Sequence, residues 1–281
     1  MHQKVDFTAY FERIGYLGSA DPTPDTLAEI VAAHTRRIPF ENLDSLLGIP
    51  VADLGPGALM EKLVHRRRGG FCFEQNNLLR YALVDIGFDV KPLLGRVVWG
   101  DAGELGGVKT PLTHQVLMVR APGDDTLYLV DVGFGGQTPP SVLRLEPGLI
   151  QTTSHEPYRL REYFSDGYLL ETLIADTWRP IYTFTDAPCA EVDLHVGSWY
   201  ASTYPQYGLV TSLYVSIITD DARYNLRGRR LSVHHDGDPL HVDFDTAAEV
   251  IEALKGRFDI DLSALDTAQL ARRIGAVLDA T

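Results

Sequence analysis

Cys72, His114 and Asp131 are the residues of this chain whose types could carry covalent chemistry together. A cysteine nucleophile needs a general base, normally histidine, and a third group that fixes the orientation and tautomer of the imidazole. Cys72 lies in Arg68-Gly69-Gly70-Phe71-Cys72-Phe73-Glu74-Gln75-Asn76-Asn77, a glycine-led lead-in to the apolar positions Leu78, Leu79, Ala82, Leu83 and Ile86, which have helical spacing. That pattern predicts Cys72 at or near a helix N-terminus. There the free backbone N–H groups and the positive end of the dipole favour thiolate over thiol. A buried cysteine packing as a small hydrophobe is the competing reading of Cys72 taken alone.

The base and its partner come from a predicted hairpin. Leu112 to Arg120 and Thr126 to Val132 alternate as strands and are joined by Ala121-Pro122-Gly123-Asp124, where Pro and Gly supply the bend. Counting outward from Pro122-Gly123 sets Arg120 opposite Asp125 and His114 opposite Asp131. Directly opposed Cβ atoms are about 4.5–5.5 Å apart, so the carboxylate could accept an imidazole N–H. A one-residue bulge would break that register. His114 shares its face with Val116 and Met118, and Asp131 shares its face with Leu127 and Leu129. A carboxylate on such a face needs a partner, because an unpaired buried charge is costly. A pair that only stabilises the sheet fits the same residues.

Three other clusters are weaker. His234, His235 and Asp236, with His241 nearby, could hold a metal, but the turn Asp236-Gly237-Asp238-Pro239 explains them as hairpin residues, and no metal is expected. Val132-Gly133-Phe134-Gly135-Gly136 could bring backbone N–H groups to a ligand's phosphates, yet it lacks the GxGxxG spacing and no helical pattern follows. Arg223, Arg227, Arg229 and Arg230 could meet a phosphorylated ligand or simply form a solvated loop between strands.

The elements that must position these residues fall into three groups. Residues 1–88 read as a helical bundle. Asp6 caps a first helix striped by Phe7, Tyr10, Phe11 and Ile14, a second carries Leu27, Ile30 and Val31, a third runs from about Ala58 to Arg67, and the Cys72 helix follows. Residues 89–188 switch to period two and read as a small β-barrel or curled sheet, with further strands at Tyr158 to Phe164, Tyr168 to Ile174 and Trp178 to Phe184. Residues 189–281 mix a helix near Ala190 to Tyr200, strands near Leu209 to Thr219 and Leu231 to Phe244, and two C-terminal helices, which suits an α/β lid. The fold class is therefore α+β.

Composition narrows the function. With 281 residues, 45% hydrophobic and 22% charged, the chain has ample core and no sign of disorder. A net charge of −13 argues against general nucleic-acid binding and against docking on an anionic membrane. No stretch approaches the length of an apolar span, and Met-His-Gln-Lys-Val-Asp-Phe lacks the core of a secretory signal, so a cytoplasmic protein is expected. Two cysteines far apart, Cys72 and Cys189, make neither a disulfide framework nor a cysteine zinc site.

Taken together, Pro39-Phe40-Glu41-Asn42-Leu43, the Arg68 to Asn76 stretch, Thr113-His114, Asp131-Val132-Gly133-Phe134-Gly135 and the opening Tyr10-Phe11-Glu12-Arg13-Ile14 resemble the arylamine N-acetyltransferase family, prokaryotic type, over the whole chain. The resemblance implies a three-domain cysteine-protease-like fold with Cys72, His114 and Asp131 as catalytic triad. It implies ping-pong transfer from acetyl-CoA, through an acetyl-cysteine, to an arylamine or arylhydrazine. It also implies Phe40, Phe71 and Phe134 as walls for the acceptor, Thr113 and Gly133, Phe134 and Gly135 beside coenzyme A, and Arg13, Glu41 and Arg68 as charged residues that brace the Cys72 loop. A thiol hydrolase using the same triad is the alternative reaction, and a nonenzymatic binding protein would have no need of all three residues. Xenobiotic metabolism and a dedicated biosynthetic step both remain open as roles, as does the oligomeric state.

Overall fold

The computed structural model describes residues 6–100, 110–164, 167–235 and 239–280. Helix α1 (Thr8–Ile14) starts where the Asp6 carboxylate accepts the Thr8 N–H at 2.9 Å, and it ends in a left-handed Gly15. Helix α2 (Pro24–Arg37) is capped by the Thr23 hydroxyl and has proline at its first position, as its stripe required. The two-residue strand β1 (Phe40–Glu41) and the short α3 (Leu43–Leu46) and α4 (Pro56–Leu59) follow. The predicted third helix departs from expectation. It is α4 running into a π-helical segment, Met60–His65, before α5 (Cys72–Asp85).

Eight strands make one antiparallel sheet: β2 (Asp89–Val97), β3 (His114–Arg120), β4 (Tyr128–Val130), β5 (Leu143–Arg144), β6 (Ile150–Gln151), β7 (Tyr158–Tyr163), β8 (Gly167–Ile174) and β9 (Thr177–Thr185). Their order is β5-β4-β3-β2-β9-β8-β7-β6. The sheet curls until its edge strands are joined by a side chain rather than by a ladder: Arg144 N donates to Gln151 Oε1 at 2.7 Å, and Gln151 Nε2 donates to Arg144 O at 3.0 Å. Alternate residues of β3 serve two cores. Val116 and Met118 pack inside the curl with Leu129, Tyr158 and Tyr182, while Leu117 and Val119 pack with Leu78, Leu79 and Leu83 of α5. A strand buried on both faces is apolar throughout its middle, which is why this one reads as a nearly continuous run.

The chain then forms α6 (Glu191–Thr203), the single-turn α7 (Gly208–Thr211), β10 (Tyr214–Ile218), β11 (Arg223–Arg227), β12 (Arg230–His234), β13 (Leu240–Asp243), α8 (Ala247–Gly256) and α9 (Thr267–Asp279). The five-stranded sheet has the order β1-β10-β11-β12-β13, so Phe40 and Glu41 pair with Ser216 and Val215. Two expectations are corrected here. The strand foreseen over Leu209 to Thr219 is α7 followed by β10, and Arg223 to Arg230 is a strand and a hairpin rather than a loop. The helices and two antiparallel sheets make the α+β fold, and among the described residues no helix is long and apolar enough to cross a membrane. Ser165, Asp166 and the turn at Asp236 to Asp238 lie outside the described residues.

Candidate active site

Cys72 is the first residue of α5 and is 5% exposed. Its Sγ lies 3.5 Å from the Thr113 carbonyl oxygen. His114 opens β3, and its Nε2 is 2.7 Å from Asp131 Oδ2, with both side chains buried. The hairpin brings the two together in a different way from the counted register. The ladder sets Leu117 opposite Val130 and Met118 opposite Leu129, two residues out of step with that count, and β4 ends before Asp131. The connection is longer than four residues because Asp124 Oδ1 accepts the Thr126 N–H at 2.9 Å, an extra side-chain turn. A slip of two keeps every side chain on its own face, so His114 and Asp131 still meet.

Asn76 completes the arrangement. It sits one helical turn after Cys72 on the same face of α5 and is fully buried. Its Nδ2 donates to Asp131 Oδ1 at 3.1 Å and to Gln115 O at 2.7 Å, and its Oδ1 accepts Val132 N–H at 3.0 Å. Gly133 N donates to the same Asp131 oxygen at 2.9 Å. The helix that carries the thiol therefore also holds the carboxylate. Burial works against a charged His114 ring, but the charge and hydrogen bond of Asp131, with Cys72 adding to them, outweigh it and hold the pKa up at about 10. Burial also opposes ionisation of Asp131. His114 and the N–H donors reverse that and keep the carboxyl below its usual range.

Of the aromatic residues singled out, Phe134 meets the His114 ring edge-on, with centroids 5.2 Å apart at 88°. Phe40 is half-buried and lies under Gly135, where an added Cβ would come 3.3 Å from its ring. Phe71 is 1% exposed and packs edge-on against Phe73 at 5.9 Å. Tyr182, which the sequence did not point to, lies 4.7 Å from the His114 ring, and its hydroxyl, buried beside Asp131, has its pKa pushed well up by burial and then by that carboxylate. Tyr207 reaches in from the segment before α7, and its hydroxyl donates to Thr113 Oγ1 at 2.7 Å.

The loop before Cys72 is fastened from two sides. Arg68 Nε donates to Glu41 Oε1 at 2.8 Å and its Nη2 to Asp44 Oδ1 at 2.8 Å, while Lys62 bridges Asp44 and Glu74 at 2.7 and 2.6 Å. Glu74 Oε2 accepts Phe71 N–H at 3.1 Å. Arg13 is placed elsewhere: it donates to Leu63 O at 3.4 Å and lies 4.0 Å from Asp259. On the other side Gln75 Nε2 donates to Gly70 O at 2.8 Å and to Pro39 O at 3.3 Å, so its Oε1 faces His34 Nε2 at 3.1 Å and accepts from it. His34 Nδ1 must then accept the Tyr10 hydroxyl at 2.8 Å. Both ring nitrogens of a neutral, fully buried imidazole are satisfied.

Burial is the main reason that the His34 pKa falls from 6.5 to about 4. Between those values the unfolded chain carries a proton that the native chain lacks, so the native state loses stability as pH falls from about 6.5 to about 4. That single group accounts for about 3 kcal/mol over the window. Urea denaturation of wild type and His34→Gln between pH 7 and pH 4.5 should show a steeper loss in wild type. Equal slopes would show that His34 is not held neutral.

The arginines of Arg223 to Arg230 do not form one open basic patch. Arg223 is fully buried, donating to Thr138 O at 2.9 Å and Glu156 Oε2 at 2.7 Å. Arg229 donates to Leu278 O, and Arg230 is paired in a fork with Asp243 at 2.8 and 2.7 Å. Arg223, Arg229 and Arg230 are each committed to a separate partner and Arg227 lies over the Tyr214 ring at 5.6 Å, so the segment does not present four free guanidinium groups to one phosphate. Among the described residues no three of His, Cys, Asp and Glu converge on a metal, and His241 Nδ1 is 3.0 Å from the Ser232 hydroxyl.

A family model described as N-acetyltransferase matches residues 23–267. The arylamine N-acetyltransferase of Mycolicibacterium smegmatis is 53% identical over 278 residues, 98% of this chain and 99% of its own. Among solved structures, the arylamine N-acetyltransferase of Mycobacterium tuberculosis has a TM-score of 0.94 at 49% identity, covering 98% of this chain and 100% of that one. The Mycobacterium marinum enzyme, solved in complex with CoA, has a TM-score of 0.92 at 46% identity, covering 97% and 99%. On this sequence identity and shared fold, the chain belongs to the arylamine N-acetyltransferase family and is an acyltransferase.

Proposed function

We propose that the chain moves the acetyl group of acetyl-CoA onto arylamines and arylhydrazines by a ping-pong mechanism, through an acetyl-Cys72 thioester. The observation that carries this reading is the hydrogen-bonded line from Asn76 and Gly133 through Asp131 to His114, with Cys72 within reach of the same ring. His114 takes the thiol proton and Sγ attacks the acetyl carbonyl. The tetrahedral intermediate then collapses, the bond to the CoA sulfur breaks, and CoA leaves with the proton from the imidazolium. In the second half the amine nitrogen attacks the Cys72 thioester, its proton passes to His114, and the Cys72 thiolate departs. Asp131 holds the ring in one tautomer and stabilises its cationic form. The Cys72 backbone N–H at the start of α5 is the assigned donor to the oxyanion.

Phe40 and Phe134 are assigned to the acceptor wall with Phe71 behind them, and Thr113, Gly133 and Gly135 to the side where CoA arrives. The CoA complex of the M. marinum relative supports coenzyme A as the carrier. Residues 1–88, 89–188 and 189–281 are read as the three domains, the first lending Phe40–Glu41 to the sheet of the third.

Intact-protein mass spectrometry after mixing with acetyl-CoA tests the reading. Wild type should gain one acetyl group, lose it to a simple arylhydrazine and yield the acetylated arylhydrazine, and Cys72→Ala should gain none. Release of acetate without an amine product would replace the transferase by a thiol hydrolase. The bracing role assigned to Glu41 is tested separately. Glu41→Gln strips a fully buried partner from Arg68 and should cost about 3 kcal/mol in urea unfolding together with a measurable drop in turnover. Unchanged stability and rate would remove that role.

A further inference from the structure

Tyr207 stands just before α7, and its ring packs against the apolar cluster that contains Phe71, Cys72 and Phe73. It is held at several points. Its hydroxyl donates to Thr113 Oγ1 at 2.7 Å, its N–H donates to Tyr204 O at 2.9 Å, and its carbonyl accepts Val210 N–H at 2.9 Å. The ring also meets Tyr200 edge-on at 5.9 Å, and Tyr200 stacks on Tyr204 with centroids 4.7 Å apart at 13°. A side chain with two rotatable bonds, fixed at its tip and along its ring, is a rigid wall rather than an adaptable one.

The position of that wall relative to the reacting atoms gives it a task. Thr113, which Tyr207 holds, presents its carbonyl 3.5 Å from Cys72 Sγ. Phe134 and Asp131 instead contact the His114 ring. An amine that must give its proton to His114 approaches from the His114 side, so the tail of an acyl group on Sγ is left pointing toward Thr113 and Tyr207. We propose that Tyr207 is a specificity-determining residue for the acyl donor, its ring flanking the space between Thr113 and Cys72 through which the donor arrives and restricting the thiol to short straight acyl chains. The proposal rests on Cys72 being the acyl carrier.

The test compares acetyl-, propionyl- and butyryl-CoA with one arylhydrazine on wild type, Tyr207→Phe and Tyr207→Ala, reading kcat/KM and the acyl mass on the protein. Each extra methylene in a closed apolar pocket is worth roughly tenfold or more in discrimination. Tyr207→Ala should raise the butyryl-to-acetyl ratio of kcat/KM by at least about tenfold, whereas Tyr207→Phe, which keeps the ring, should retain the wild-type ratio. If Tyr207→Ala does not fold, Tyr207→Leu takes its place, with a smaller rise expected. An unchanged ratio in a folded variant that still acylates Cys72 overturns the proposal and leaves the acetyltransferase reading intact. Absence of any acyl adduct on wild type overturns both.

Discussion

Asp131→Asn should lower kcat/KM for arylhydrazine acetylation by roughly four orders of magnitude while the protein stays folded, because it reverses a tautomer rather than removing a side chain. Asp131 Oδ1 is already committed, receiving N–H bonds from Asn76 at 3.1 Å and from Gly133 at 2.9 Å. An asparagine at 131 must place its oxygen there. Its NH₂ then takes the Oδ2 position, 2.7 Å from His114 Nε2, and donates to it. The ring proton is forced onto Nδ1, the nitrogen left to face Cys72, and His114 can no longer accept the thiol proton. Loss of the carboxylate also removes what keeps the His114 pKa near 10. Stopped-flow acylation with acetyl-CoA, followed across pH, would check both effects. An acylation rate within tenfold of wild type would mean that Asp131 does not set the state of His114.

Gly133→Ala is the second large effect expected. A Cβ built on Gly133 falls 2.7 Å from the Cys72 Cα and 3.2 Å from Asn76 Nδ2. The first contact is with backbone, which cannot rotate away, so the 131–135 segment must lift off the start of α5. Lifting it breaks the Asn76 Nδ2 bond to Asp131 and the Val132 N–H bond to Asn76. The imidazole and the thiol part, and a displacement of about 1 Å costs about a hundredfold in rate. Overpacking adds a loss of about 1–3 kcal/mol in stability. Steady-state kinetics with urea unfolding would separate the two. A loss of stability without a loss of kcat would show that the close approach at Gly133 serves packing alone.

Much of this site could be read from residue order because it depends on local pattern. Two glycines followed by an apolar period of 3.6 put Cys72 at the head of a helix, and α5 begins at Cys72. The alternation of β3 put His114 on the face of Val116 and Met118, and those residues do share one core. The face of Asp131 followed from the same rule although the register counted from the turn was wrong by two, since side chains repeat every two residues and such a slip leaves faces unchanged. Asn76 was readable in principle, as a polar residue one turn beyond Cys72, but helical spacing alone does not say what a buried amide will meet.

The amino-acid sequence by itself determined most of the longer helices and strands and which way their side chains face, because propensity, caps and periodicity act over a few residues. Only the tertiary structure decided which distant groups meet. Phe40 and Glu41 become a strand by pairing with Ser216 and Val215. Arg223 turns from a candidate phosphate ligand into a fully buried partner of Glu156. Gln75 transmits the buried His34–Tyr10 pair to the Gly70 carbonyl, and Tyr207 arrives over Thr113 from a segment 94 residues away. Such meetings depend on how whole layers close on one another, driven by burial that is non-directional and blind to separation along the chain.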